Sequence, residues 1–130
     1  PGLGNIETAA LVATDEVVLT MSPEYFSLDG LETWAERVRK IEKGLRVRIH
    51  YNKLVINGLD RRINQMKDVE AKAKERLSNV YVISTDPAFR KAQSEHIPAQ
   101  LVPKDWDSLK PDNAKVLIKL AKELSNGTGQ

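Results

Sequence analysis

The sequence predicts an α/β fold built on a mostly parallel sheet. Three apolar runs, at 17–21, 54–56 and 80–83, alternate with stretches whose apolar residues recur every three or four positions. Unbroken apolar runs suit strands buried on both faces, as parallel strands are. Strands that alternate with helices require crossover connections, which are right-handed.

The first element is a short helix over 5–13, with Ile6, Ala9, Ala10 and Ala13 on one side. The run VVLTM at 17–21 is the first strand, and Ser22-Pro23 ends it. Leu28, Leu31, Trp34, Ala35, Val38, Ile41 and Leu45 then trace one face of a long helix. Ser27 is its expected N-cap and Gly44 its expected C-terminal stop. A second strand is expected over 47–57, with Leu54, Val55 and Ile56 as its core and Lys53 as an interruption. A helix over 64–77 turns Met66, Val69, Ala73 and Leu77 inward. The third strand covers 80–83, and Asp86 caps a helix that starts at Pro87 and runs to about His96. A loop with Pro103 and Trp106 leads to a last helix over 113–125, whose inward face is Ala114, Leu117, Ile118, Ala121 and Leu124. Residues 126–130 form a polar tail expected to fray.

With 130 residues the chain has the size of one domain. Three strands make a thin sheet whose faces need more cover, so residues 1–125 read as the second half of a larger α/β domain. The chain has no cysteine, which excludes disulfides, thiol catalysis and cysteine metal sites. No apolar run approaches the roughly 20 residues of a membrane span, and the expected compartment is the cytoplasm. A net charge of +2 predicts no partner by itself, so the clustering of charge matters more.

No complete catalytic site is readable. The glycine-rich phosphate loop GxxxxGK[ST], the dinucleotide fingerprint GxGxxG and the nucleophile elbow GxSxG are all missing from the chain. His50 and His96 lie far apart, without metal-ligand spacing. Three features carry alternatives. Asn57-Gly58-Leu59-Asp60 follows a strand, where open α/β sheets bind ligands. The Asn57 amide can donate and accept toward a purine edge, or Asn-Gly is simply a turn. Ser84-Thr85-Asp86-Pro87 either lines the same ligand or only caps a helix. Arg37, Arg39, Lys40, Lys43, Arg46 and Arg48 crowd one helix end, with Arg61, Arg62, Arg90 and Lys91 elsewhere. Such side chains hold nucleic-acid phosphates when gathered on one surface. Alternatively they form a solvated face in which Glu32, Glu36 and Glu42 pair along the helix.

The segment EYFSLDGL at 24–31 resembles the "Q-x-E-Y-x-x-L-E-G-L" segment of the ParA family of partition ATPases, part of the deviant Walker group that includes MinD. PGLGNIETAALVATDEV at 1–17 is similar to the stretch after that family's D-x-P-P motif. INGLDRRIN at 56–64 resembles its "T-M-x-D-x-R-T-N", and VISTDPAFRKAQSEHIPAQLV at 82–102 its "V-I-P-R-N-x-R-L-x-E-A-P" region. NAKVLIKLAKEL at 113–124 resembles its terminal helix. The matches follow the family's order along nearly the whole chain.

The resemblance implies the C-terminal half of a three-layer P-loop NTPase-like domain, with ATP and Mg²⁺ as cofactors of the full-length protein. It implies adenine contacts at Asn57, Ser84, Thr85 and Asp86, where the family usually has Pro at the position of Ser84. It makes Pro1, Gly2 and Gly4 part of a nucleotide-sensitive switch loop whose carboxylate precedes Pro1. It assigns Arg62, Arg90 and Lys91 to nonspecific DNA. It further implies an ATP-dependent homodimer, a ParB-like centromere-binding partner that stimulates hydrolysis, and a nucleoid-associated cytoplasmic address without a membrane. The chain itself, lacking the phosphate loop, is not expected to hydrolyse ATP alone. The alternatives are a MinD-like positioning ATPase, a cellulose-synthesis or metallocentre-maturation relative, or a non-catalytic α/β module that binds DNA or a partner. The polar 125–130 tail lacks the amphipathic helix of the MinD type, and metallocentre members typically need cysteine.

Overall fold

A computed structural model describes residues 4–103 and 108–127. The order is α1 (Asn5–Ala13), β1 (Val18–Met21), α2 (Leu28–Leu45), β2 (Lys53–Leu59), α3 (Asn64–Arg76), β3 (Asn79–Ser84), α4 (Pro87–Glu95) and α5 (Pro111–Gly127). Short 3₁₀ turns at Pro23–Tyr25 and Ala99–Leu101 punctuate it. The three strands form a parallel sheet in the order β1-β2-β3. The expected α/β architecture is therefore present, as three layers with the sheet in the middle.

Alternate residues of the strands serve opposite faces. Leu54, Ile56, Leu59 and Val82 pack against Val69 and Ala73 of α3. Val55, Tyr81 and Ile83 meet Val116, Leu117 and Leu120 of α5. Ala88 and Ala92 of α4 form a small third core with Val102. On the α3 side, Arg76 pairs with Glu32 of α2 at 3.0 Å, and Trp34 meets Tyr51 edge to face at 4.9 Å between ring centres.

Several local expectations change. β1 is not buried on both faces: it pairs on one side only, Val18, Leu19 and Met21 are half-buried, and Thr20 is exposed. No residue of α1 is buried, and Ile6 is 84% exposed, because no described element covers that helix. Gly44 does not stop α2. Arg46 does, at φ 55°, and Val47 N then donates to Glu42 O in a left-handed cap. The Glu42 carboxylate also accepts from Ile49 N, which holds the chain irregular beyond the helix. β2 consequently starts at Lys53 rather than 47. Lys53 is no interruption, since its buried ammonium is ion-paired with Glu16. Asn57-Gly58 is not a turn. The strand continues through it, with a register shift between Asn57 and Leu59 and Gly58 at φ 84°, a conformation glycine tolerates. On α5, Ile118 and Ala121 face solvent, while Val116 and Leu120 take the inward places. The helix also runs from Pro111 to Gly127, two residues past 125.

Candidate functional site

The carboxyl ends of β2 and β3 open into a cleft of about 970 Å³. Its rims are the 57–62 segment at the end of β2 and the 84–90 segment at the end of β3, with Lys110 and Asp112 at the start of α5. Adjacent parallel strands end side by side, so their following loops diverge around a crevice, the usual ligand position in open α/β sheets. A backbone bond from Thr85 N to Leu59 O, 3.1 Å, ties the rims together at the base.

The β2 rim is organised locally. Gly58 bulges the strand, and Asp60 then receives three hydrogen bonds from one residue. Arg62 donates from its backbone N (3.0 Å) and Nε (2.9 Å) to Oδ1, and from its terminal guanidinium nitrogen to Oδ2 (2.7 Å). Those bonds, the two from the side chain foremost, hold the Asp60 carboxyl down to a pKa of about 2. The Arg62 side chain is nevertheless 88% exposed. Arg61 turns away to Glu70 at 3.0 Å, and Glu70 also accepts from Lys74. Asn57 is exposed and its amide has no hydrogen bond among the described residues. It is free to meet a ligand at the cleft mouth.

The β3 rim is organised from a distance. Asn113, in the first turn of α5, is 1% exposed. Its Oδ1 accepts from Ser84 N (2.9 Å) and Ser84 Oγ (3.1 Å). Its Nδ2 donates to Ser84 O (3.1 Å) and to Asp86 Oδ2 (2.9 Å). Asp86 also accepts from Ala88 N, as the N-cap of α4, and from Lys110 N. Burial opposes ionisation of Asp86, but the bonds from Lys110, Asn113 and Ala88 outweigh it and lower its pKa. Lys110 Nζ reaches the Thr85 carbonyl at 2.7 Å.

Of the residues singled out in the sequence, Asn57, Ser84, Thr85, Asp86, Arg62 and Arg90 line this one cleft. Arg90 is exposed and makes no ion pair among the described residues. Lys91 does not line it and pairs with Glu95 at 3.6 Å. Gly4 is the exposed N-cap of α1, outside the cleft, and Pro1 and Gly2 lie outside the described residues. Sequence reasoning missed Lys110 and Asn113. The available signal was Pro111, a favoured first helical residue. Starting the helix there puts Asn113 inside the first turn, where an asparagine that is not the cap competes for backbone bonds. Among the described residues no three His, Cys, Asp or Glu side chains gather closely enough to hold a metal ion. The cleft thus offers directional polar groups and cations suited to a planar polar ligand with negative charge nearby. No described helix is long and apolar enough to cross a membrane.

No family model matches the chain, and no solved structure matches it significantly. The sporulation initiation inhibitor protein Soj of Bacillus subtilis (strain 168) is 30% identical over 128 residues, covering 96% of this chain and 49% of Soj. An uncharacterized protein of Pseudomonas putida is 32% identical over 75 residues, covering 58% of this chain and 28% of that protein. The chain therefore spans about half or less of the length of these curated relatives. At 96% coverage, the similarity to Soj takes in both loops of the cleft.

Proposed function

We propose that the chain is the C-terminal portion of a ParA-like partition ATPase and that the cleft receives the adenine end of ATP. One observation carries this. Two segments that resemble the family's base-contacting loops, 57–62 and 84–90, meet at the ends of adjacent parallel strands. The unpaired Asn57 amide and Thr85 line a shared crevice, and an amide there can both donate to and accept from a purine edge. The similarity to Soj along nearly the whole chain supports the same reading.

In this account the phosphates and Mg²⁺ are held by residues outside this chain, since it contains no phosphate loop and its described residues hold no carboxylate cluster. Bound ATP supplies the energy of the switch. This chain's residues orient the base and, in the dimer, present Arg62, Arg90 and Lys91 to DNA phosphates. Arg90 is the strongest candidate of the three, because Arg62 is engaged by Asp60 and Lys91 by Glu95. A ParB-like partner on the DNA cargo stimulates hydrolysis, at the nucleoid of the cytoplasm.

The test is made on the full-length protein. ATP is expected to convert monomer to dimer in light scattering and to make the protein retain nonspecific duplex DNA. Replacing Arg90 with Ala should weaken retention about tenfold, within the range of one lost phosphate contact, measured at saturating ATP so that any change in nucleotide affinity does not enter. Dimerisation that ignores ATP would sink the ATPase reading. Retention unchanged by Arg90→Ala would sink only the DNA assignment.

A further inference from the structure

We infer that Asn113 is the positioning residue of the cleft's β3 rim, setting the base-binding loop from inside the protein. The inference rests on reading the cleft as the nucleotide-base site.

Asn113 cannot meet a ligand itself, because it is 1% exposed. What it grips is the loop on either side of the residue that can. Ser84 is held through its N–H, its carbonyl and its hydroxyl, and Asp86 through Oδ2. Thr85 is the exposed bridge between these two clamped residues, with its N–H on Leu59 O and its carbonyl on Lys110 Nζ. One buried amide thus holds the Ser84 backbone before Thr85 and the Asp86 carboxylate after it, and does so from α5, 29 residues along the chain from Ser84. The opposite rim needs no such help, since Asp60 and Arg62 brace each other two residues apart.

A loop ordered before the ligand arrives spares the cost of ordering it on binding. Loss of Asn113 would leave Ser84 N and Ser84 O without their partner and remove one donor from Asp86. Thr85 would then sample positions that do not match the base. On the same reading the polyphosphate is held away from this loop, so its contacts would persist. Asn113 therefore acts on recognition of the base and not on binding of the charged tail.

The full-length protein is titrated with ATP and, separately, with inorganic tripolyphosphate. Asn113→Ala is expected to weaken ATP about tenfold and tripolyphosphate less than twofold. Leu120→Ala, which loosens the packing of α5 on the sheet without touching the loop, controls for stability and should leave both ligands near wild type. Ser84→Ala removes one hydroxyl donor and should weaken ATP two- to threefold, so it carries the test should Asn113→Ala not fold. Unchanged ATP binding in a folded Asn113→Ala protein, an equal loss for tripolyphosphate, or an equal loss in Leu120→Ala would each overturn the positioning role and leave the cleft reading standing. A wild-type protein that binds tripolyphosphate but shows no added affinity for ATP would overturn both.

Discussion

The two rims of the cleft solve the same problem by different means. On the β2 side a half-buried carboxylate and an exposed guanidinium, two residues apart, close a tight turn. On the β3 side a buried amide from a later helix locks the strand end and the following cap. The first device is local and bathed in solvent, which screens its charges. The second is long-range and centred on a buried side chain, so a group it leaves unpaired has less water to fall back on. The difference predicts that the β3 rim contributes to folding as well as to binding, and that the β2 rim contributes to shape alone.

Removing Asn113 should therefore have the largest effect on stability. Asn113→Ala leaves the N–H and carbonyl of half-buried Ser84 without their protein partner, and an unsatisfied group costs about 1–3 kcal/mol where burial keeps water from replacing that partner. A loss of about 2–3 kcal/mol in urea unfolding is expected. A loss indistinguishable from that of an exposed asparagine would erase the contrast between the rims.

Acid separates them next. Asp86 has a folded pKa below its ordinary 3.8, so its contribution is fully present above that value and disappears as pH falls through the folded value. The stability gap between wild type and Asn113→Ala should stay constant from pH 7 to about pH 5 and narrow below the ordinary carboxylate range, read from urea midpoints at fixed salt. Asp60 keeps its charge further, to about pH 2. A gap that widens in acid would mean that Asn113 does not favour the Asp86 carboxylate.

The smallest effect belongs to Asp60. Asp60→Asn should leave the unfolding midpoint close to that of wild type, because the guanidinium it releases is exposed and asparagine keeps an acceptor in place. It should still free Arg62, which a faster tryptic cut after residue 62 would report. A large loss of stability would place Asp60 with the buried latch.

The same division explains what the sequence could disclose. Periodicity and caps are local, and they led directly to the helices, to Ser27 and Asp86 as N-caps, and to the parallel sheet. The Asp60–Arg62 turn lies within three residues, although the turn was expected one step earlier, at Asn57-Gly58. Asn57 and 84–86 could be named as site candidates because ligands gather at strand ends. What stayed hidden depends on partners far along the chain. Lys53 reads as a break until Glu16, 37 residues earlier, neutralises it. Asn113 reads as an ordinary helix start until Ser84 folds against it. Gly44 has every local mark of a stop, yet the bonds from Val47 and Ile49 to Glu42 move the end of α2 to Arg46. β1 has the composition of a central strand and stands at the edge of the described sheet.

The most direct measurement is photolabelling of the full-length protein with azido-adenine ATP, followed by peptide mapping. Label is expected within 57–62 or 84–90, suppressed by excess unlabelled ATP. Specific, competable label confined to other peptides would contradict the assignment of this cleft to the base.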